Sequence, residues 1–319
     1  MKIVGHERQM AYLERAMRRG RMSHAYLFYG PERVGKRAIA YAIARELLCP
    51  NRAKNNYTIA DAGDDCHVCR QIDEGVYPDV AALGLGDTLV SKKETRKEIP
   101  IEDIRELKRR FSFTAAPDAW RIAIIDDADR MSGEASDAFL KLLEEPGNWT
   151  LFILIASSRD TVSATIFSRA TPIGFSLVSD KTLLPFVRAH LNKESAEEIL
   201  AIASGRVGIT MELVRHPDRL AQEKNAVLSY ASALKGGAPG ALLLSEKAAD
   251  DESMRERAIY TLIAGLRRQM YGVTSLVERG ALAARIARVL DLAALMRTTN
   301  VNPRLALDAM FIEGLVKKS

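Results

Sequence analysis

At 319 residues the chain has room for about two domains by the ~150-residue prior, and with 47% hydrophobic residues it can bury a full core, which excludes a disordered protein. Forty-six Lys and Arg against 41 Asp and Glu leave a net charge of +5, too thin a surplus to mark a nucleic-acid wrapper by composition. No apolar run approaches the ~20 residues of a membrane-spanning helix, the start turns charged at His6-Glu7-Arg8 before a signal-peptide core can form, and three cysteines are too few for a disulfide framework, so the expected address is the cytoplasm, with no membrane partner.

Along the chain, short apolar strands alternate with amphipathic helices, the pattern of a parallel sheet covered by helices. Met10, Met17 and Met22 read as core or gap-filling residues. Arg15, Arg18, Arg19 and Arg21 read as a solvated face, with phosphate tracking as the other reading. Strands are predicted over 25–29, 79–83, 121–125 and 151–156. Between them, 37–48 places Ile39, Ala42, Ile43 and Leu47 on one helical face, and 135–145 does likewise with Phe139, Leu140 and Leu143 until Pro146 stops it. From about Ser179 the apolar spacing is helical only, as in Leu282, Ile286, Val289, Leu290, Ala293 and Met296. Arg215-His216-Pro217-Asp218 interrupts it, and 235–240 reads as a loop. Domain boundaries are therefore expected near 178 and 216.

Three places can carry chemistry. Gly30-Pro31-Glu32-Arg33-Val34-Gly35-Lys36-Arg37 stands between a predicted strand and a predicted helix, where backbone N–H groups and a helix N-terminus attract phosphate. Its frame is Gly-x-x-x-x-Gly-Lys, but Arg37 takes the position of the Ser or Thr hydroxyl that would hold Mg²⁺. Arg33 also brings a bulky side chain into a loop whose curvature favours glycine. The spacing predicts a degenerate nucleotide site on Gly30, Gly35 and Lys36; the bland reading is a plain strand-to-helix turn. Asp126 and Asp127 close the predicted strand 121–125, where one carboxylate could hold Mg²⁺ through water and the other orient an attacking water. Alternatively Asp126-Asp127-Ala128-Asp129 simply enters a turn. ATP binding is left open, and Mg²⁺-dependent hydrolysis is not expected. Third, Cys66-His67-Val68-Cys69 with Cys49 supplies three thiols where a closed zinc site takes four ligands. The fourth is open between His67, Asp64, Asp65 and water, and reduced cysteines without metal are the other reading.

Read together, these segments resemble the AAA+ clamp-loader subunits of bacterial DNA polymerase III. The motifs that carry the resemblance are Ile3-Val4-Gly5-His6-Glu7, then 20–31 from Gly20-Arg21-Met22-Ser23-His24 onward, Ala138-Phe139-Leu140-Lys141-Leu142-Leu143-Glu144-Glu145-Pro146, Ala164-Thr165-Ile166-Phe167-Ser168-Arg169 and Asn300-Val301-Asn302-Pro303-Arg304-Leu305. The resemblance implies a P-loop α/β parallel-sheet domain over 1–178, a small helical lid over 179–215 and an all-helical collar for oligomerisation over 216–319. It implies partners as well: other loader subunits of the delta and gamma/tau kinds in a hetero-oligomer, and through it the sliding clamp and primed DNA during replication by a DNA-directed DNA polymerase. Arg169 is implied to be an arginine finger that acts on a neighbouring subunit's nucleotide. The departures are Arg33 and Arg37 in the loop, Ile209 where active relatives carry a phosphate-sensing arginine, and Gly63 where the family's zinc knuckle has a thiol. The expectation is a stator-like subunit without independent ATPase activity. The alternative is an ATP-hydrolysing motor subunit using Lys36, Asp126 and Asp127. A DNA-binding module with no ATP role finds little support in so mild a charge.

Overall fold

The computed structural model describes residues 3–51, 57–89, 96–112, 119–299 and 301–315, so the motif residue Asn300 lies outside the described residues. The chain forms two compact units, Met1–Leu183 with Gly205–Gly208, and Leu184–Ser204 with Ile209–Ser319.

In the first unit the apolar runs form a parallel sheet of five strands, β1 (Ala25–Tyr29), β2 (Val80–Leu83), β3 (Arg121–Ile125), β4 (Thr150–Ala156) and β5 (Thr171–Gly174), in the order β2-β3-β4-β1-β5. Central strands covered by helices on both faces need apolar residues at every position, and β4 is buried from end to end. β5 was not expected: Thr171-Pro172-Ile173-Gly174 hides its strand behind Pro172, which is tolerated because β5 is an edge that pairs only with β1. Alternation along the strands divides the core into two layers. Tyr26, Phe28, Ile122, Ile124 and Ile153 face helices α1 (Glu7–Arg18) and α2 (Lys36–Leu48), against Leu13, Ile39 and Ile43. Leu27, Ile125, Phe152 and Leu154 share the other layer with Phe139 of α5 (Gly133–Glu144) and Leu107 of α4 (Ile101–Ser112). Phe139 meets Phe152 edge to face at 5.3 Å, and truncating such a ring costs about 3–5 kcal/mol. Among the described residues, the short α3 (His67–Asp73) and α6 (Ala164–Arg169) are this unit's other α-helices, apart from the first turn of α7 (Asp180–Arg188) and the first residues of the helix that begins at Val207.

The register fixes where chemistry can happen. Leu154 pairs with both Leu27 and Ile125, so the loops after β1 and β3 leave the sheet's C-terminal edge on either side of β4. Ligands of open α/β sheets bind at that edge. The parallel α/β class expected from the resemblance is thus the architecture of this unit.

The second unit is helical: the rest of α7, then α8 (Lys193–Ala203), α9 (Val207–Arg215), α10 (Asp218–Lys235), α11 (Gly237–Ala249), α12 (Glu252–Gly272), α13 (Leu276–Thr298) and α14 (Pro303–Leu315). Leu244, Ile263, Leu266, Val289, Leu307 and Phe311 form its core. The loop expected over 235–240 shrinks to Gly236, because Pro239 falls in the first turn of α11, where a missing N–H breaks no helical bond. Gly240 is required there, since a Cβ would stand 2.1 Å from the Ala233 carbonyl oxygen. In α13 Leu282 and Val289 are buried as their spacing predicts, whereas Leu290 is half exposed. Among the described residues no helix is long and apolar enough to cross a membrane.

Candidate functional site

The loop after β1 folds as a glycine-dependent turn into α2. Gly30 has φ +134° and packs so tightly on the start of the chain beyond β5 that a Cβ would lie 2.1 Å from the Phe175 carbonyl oxygen. Gly35 has φ +110° and Arg33 φ +59°, the latter in the left-handed region that costs a branched or bulky residue about 1 kcal/mol. Two contacts brace the loop. The Arg33 carbonyl accepts from Gly208 N at 2.7 Å, and the His6 ring meets the Val34 carbonyl through Nε2 at 2.8 Å. Burial lowers the His6 pKa, so the ring is neutral and can donate there. Lys36 is buried, with Nζ donating to the carbonyls of Gly30 and, at 2.7 Å, Pro31.

Arg37 makes the defining contacts. Its guanidinium lies 2.5 Å from Asp87 and 3.3 Å from Asp126, and it reaches the Tyr41 hydroxyl at 3.4 Å. The structure therefore brings Gly30, Gly35, Lys36 and Asp126 to one end of the sheet, with a protein cation on the carboxylate that would serve a metal. Burial pushes the Asp126 pKa up, against the opposing pull of Arg37. Asp127 sits beside it with φ +52°, accepts from Leu85 N at 3.4 Å and opens a turn of 3₁₀ helix. Burial, reinforced by the Asp126 charge, raises its pKa to about 6. The segment thus follows the end of β3 and enters a turn, as the turn reading has it. Asp129 does the turn's structural work, accepting from Ser157 N at 3.3 Å and from the Ser157 and Thr161 hydroxyls at 2.5 and 3.0 Å.

Arg169 ends α6, outside this cluster. It donates to Glu144 Oε1 at 2.7 Å and to the Thr165 carbonyl at 3.3 Å, and both partners of the ion pair are exposed. Thr171 is level with Tyr26, whereas Gly30 lies four residues further along β1. At ~3.3 Å per residue, Thr171, two residues past Arg169, stands about 13 Å short of Gly30 along the strand direction.

The cysteines form a separate cluster where α2 ends and α3 begins. Cys49 follows α2, Cys66 caps α3 with its sulfur accepting from Cys69 N at 3.4 Å, and Cys69 lies one turn in. One donor atom from each of Cys49, Asp64, Cys66 and Cys69 lies within 4.8 Å of all the others. Three thiols and a carboxylate are a donor set that suits a divalent zinc ion. His67 and Asp65 are outside the group.

Two charged residues of the first unit went unremarked in the sequence. Asp87, in the turn Gly84-Leu85-Gly86-Asp87, pairs with Arg37 across a separation that no local spacing encodes. Arg206 is buried directly ahead of α9, a burial that its charge conceals. Arg15, Arg18, Arg19 and Arg21 are exposed, with Arg18 paired to Glu14 at 3.2 Å, while Met10 and Met17 are buried.

Comparison with known proteins adds an independent line. Residues 5–179 match the family described as DNA polymerase III, delta subunit. The DNA polymerase III subunit delta' of Pseudomonas aeruginosa is 32% identical over 190 residues, which cover 59% of this chain and 54% of that protein. The delta' subunit of Bacillus subtilis is 27% identical over 226 residues, 69% of this chain and 62% of its own. The aligned part thus spans little more than half the length of these relatives. Among solved structures, a DNA polymerase III gamma subunit-related protein of Thermotoga maritima aligns over 96% of this chain and 98% of its own at 16% identity with a TM-score of 0.44, a likeness too distant to bear on function.

Proposed function

The chain belongs to the DNA polymerase III delta-subunit family, and from that premise we propose that it is a stator-like subunit of the clamp loader. It joins loader subunits of the delta and gamma/tau kinds in a hetero-oligomer that places the sliding clamp on primed DNA. It does not turn over ATP itself, and it lends Arg169 to the nucleotide site of a neighbouring subunit.

The observation that carries this reading is the Arg37 guanidinium between Asp87 and Asp126. In a P-loop ATPase the metal is anchored by a hydroxyl at this helix start and by the strand-end carboxylate. Here the hydroxyl is replaced by a fixed positive charge, and the carboxylate is engaged by it. A divalent cation must displace Arg37 and then lie beside it. The motor reading draws on the same Lys36, Asp126 and Asp127, but Lys36 is turned onto the loop's own carbonyls.

Arg169 is suited to work across an interface. Among the described residues its polar contacts are with Glu144 and its own helix and not with the loop, and its pair with Glu144 is partly solvent-exposed, worth at most about 1 kcal/mol, so a phosphate can take the place of Glu144 readily. A guanidinium that arrives in this way stabilises charge on the transferred phosphoryl group.

ATP turnover by the isolated chain tests the first half of the proposal. Background rates, unchanged by Lys36→Ala, are expected; turnover that disappears with Lys36→Ala would restore the motor reading.

A further inference from the structure

Cys49, Cys66 and Cys69 leave one position of a tetrahedral site open, and the turn between α2 and α3 decides what fills it. Cys49 Sγ lies 3.9 Å from Cys66 Sγ and 3.6 Å from Asp64 Oδ1. With zinc–sulfur bonds of ~2.3 Å and zinc–oxygen bonds of ~2.0 Å, the edges of a tetrahedron around zinc measure about 3.5–3.8 Å. These two separations are already close to what a bound ion would impose, and all four donor atoms lie within 4.8 Å of one another.

The Asp64 carboxylate is also held in a fixed orientation. Asn51 Nδ2 donates to Oδ2 at 2.6 Å, and Cys66 N donates to Oδ1 at 3.0 Å, which turns Oδ1 toward the sulfurs. Hydrogen bonds of this kind to the far atom of a ligand fix its aim and are worth about 10- to 100-fold in metal affinity. Gly63 explains why the donor comes from residue 64. Its φ is +84°, and a Cβ there would stand 2.6 Å from Arg45 Cδ, so a side chain at 63 would be strained and would have to displace Arg45. The next residue points into the cluster instead.

We propose that Asp64 is the fourth ligand of a zinc site completed by the thiolates of Cys49, Cys66 and Cys69, with Asn51 positioning the carboxylate. Four protein donors leave no coordination position for water or substrate, so zinc would staple the end of α2 to the start of α3 and take no part in catalysis.

Zinc affinity of the full chain, measured by competition with a chromophoric chelator after metal removal, tests this independently of any role in a clamp loader. One zinc per chain is expected. Asp64→Asn should weaken binding tenfold or more, Asn51→Ala by a smaller factor, and Asp65→Asn and His67→Ala by less than twofold. Asp64→Cys keeps a fourth donor at the same position and should bind at least as tightly as the parent, with a stronger sulfur-to-metal absorption band when Co²⁺ replaces zinc. Parental affinity in Asp64→Asn, loss of zinc in His67→Ala, or no zinc bound by the parent would each overturn the assignment.

Discussion

On the readings proposed above, the loop after β1 and the turn between α2 and α3 each lack a residue that such a site ordinarily uses, and they answer the loss in opposite ways. At the loop, the replacement brings charge of the same sign as the missing ion. Arg37 takes up Asp87 and Asp126, and the site is neutralised from within. At the turn, Gly63 supplies no donor, but Asp64 lies one residue on, with its oxygen 3.6 Å from the Cys49 sulfur. The lesson concerns what a neighbour can repair. A coordination sphere asks only for a donor atom at the right distance, which several side chains can offer. A nucleotide site asks for a cation that can come and go, and a tethered guanidinium cannot.

The comparison can be broken at the loop first. Gly30→Ala should be the most damaging single change there, because the added methyl meets the Phe175 carbonyl and the residue is held at φ +134°. A loss of roughly 2–4 kcal/mol in urea unfolding is expected; a parental midpoint would mean that the loop is not pinned to the chain beyond β5.

Asp127→Asn acts in the other direction. The native carboxyl titrates at about 6, above the ~3.9 of an unfolded chain, so between these values the native state holds the extra proton. The stability contributed by that proton is complete below about pH 4 and is lost as pH rises through 6. The asparagine variant should therefore be more stable than the parent above pH 6, by roughly 1–3 kcal/mol, with the gain fading toward pH 4. An equal effect at pH 4.5 and pH 8 would show that the carboxyl is not held up by burial and Asp126.

The smallest effect is expected from Arg37→Thr. Its ion pairs are partly exposed, so stability should change by no more than about 1 kcal/mol. ATP turnover should stay at background despite the restored hydroxyl, because on the proposed reading Ile209 stands where active relatives carry a phosphate-sensing arginine; turnover would make Arg37 the sole block.

Much of this was legible beforehand. The strands at 25–29 and 121–125 fall where the apolar runs place them, because buried parallel strands are written as continuous hydrophobic segments. β5 was not legible, since a four-residue edge strand containing Pro172 looks like a loop. At the loop, Lys36 and Arg37 stood out by their place in a motif, but Asp87 did not, because its partner is supplied by tertiary folding. At the cysteines, spacing named three sulfurs and left the carboxylate among several neighbours; only the folded cluster separates Asp64, which belongs to it, from Asp65.

The most direct test of the stator role is the ATPase rate of the reconstituted loader, with clamp and primed DNA, carrying either Lys36→Ala or Arg169→Ala in this chain. Lys36→Ala should leave the rate unchanged. Arg169→Ala should leave assembly intact and lower the rate, since a finger supplied in trans contributes ~10³-fold or more at the site it serves, and Arg169→Lys should rescue little because it lacks the planar fork. Parental ATPase and clamp loading in the Arg169→Ala complex, or a loss of ATPase with Lys36→Ala, would contradict the assignment.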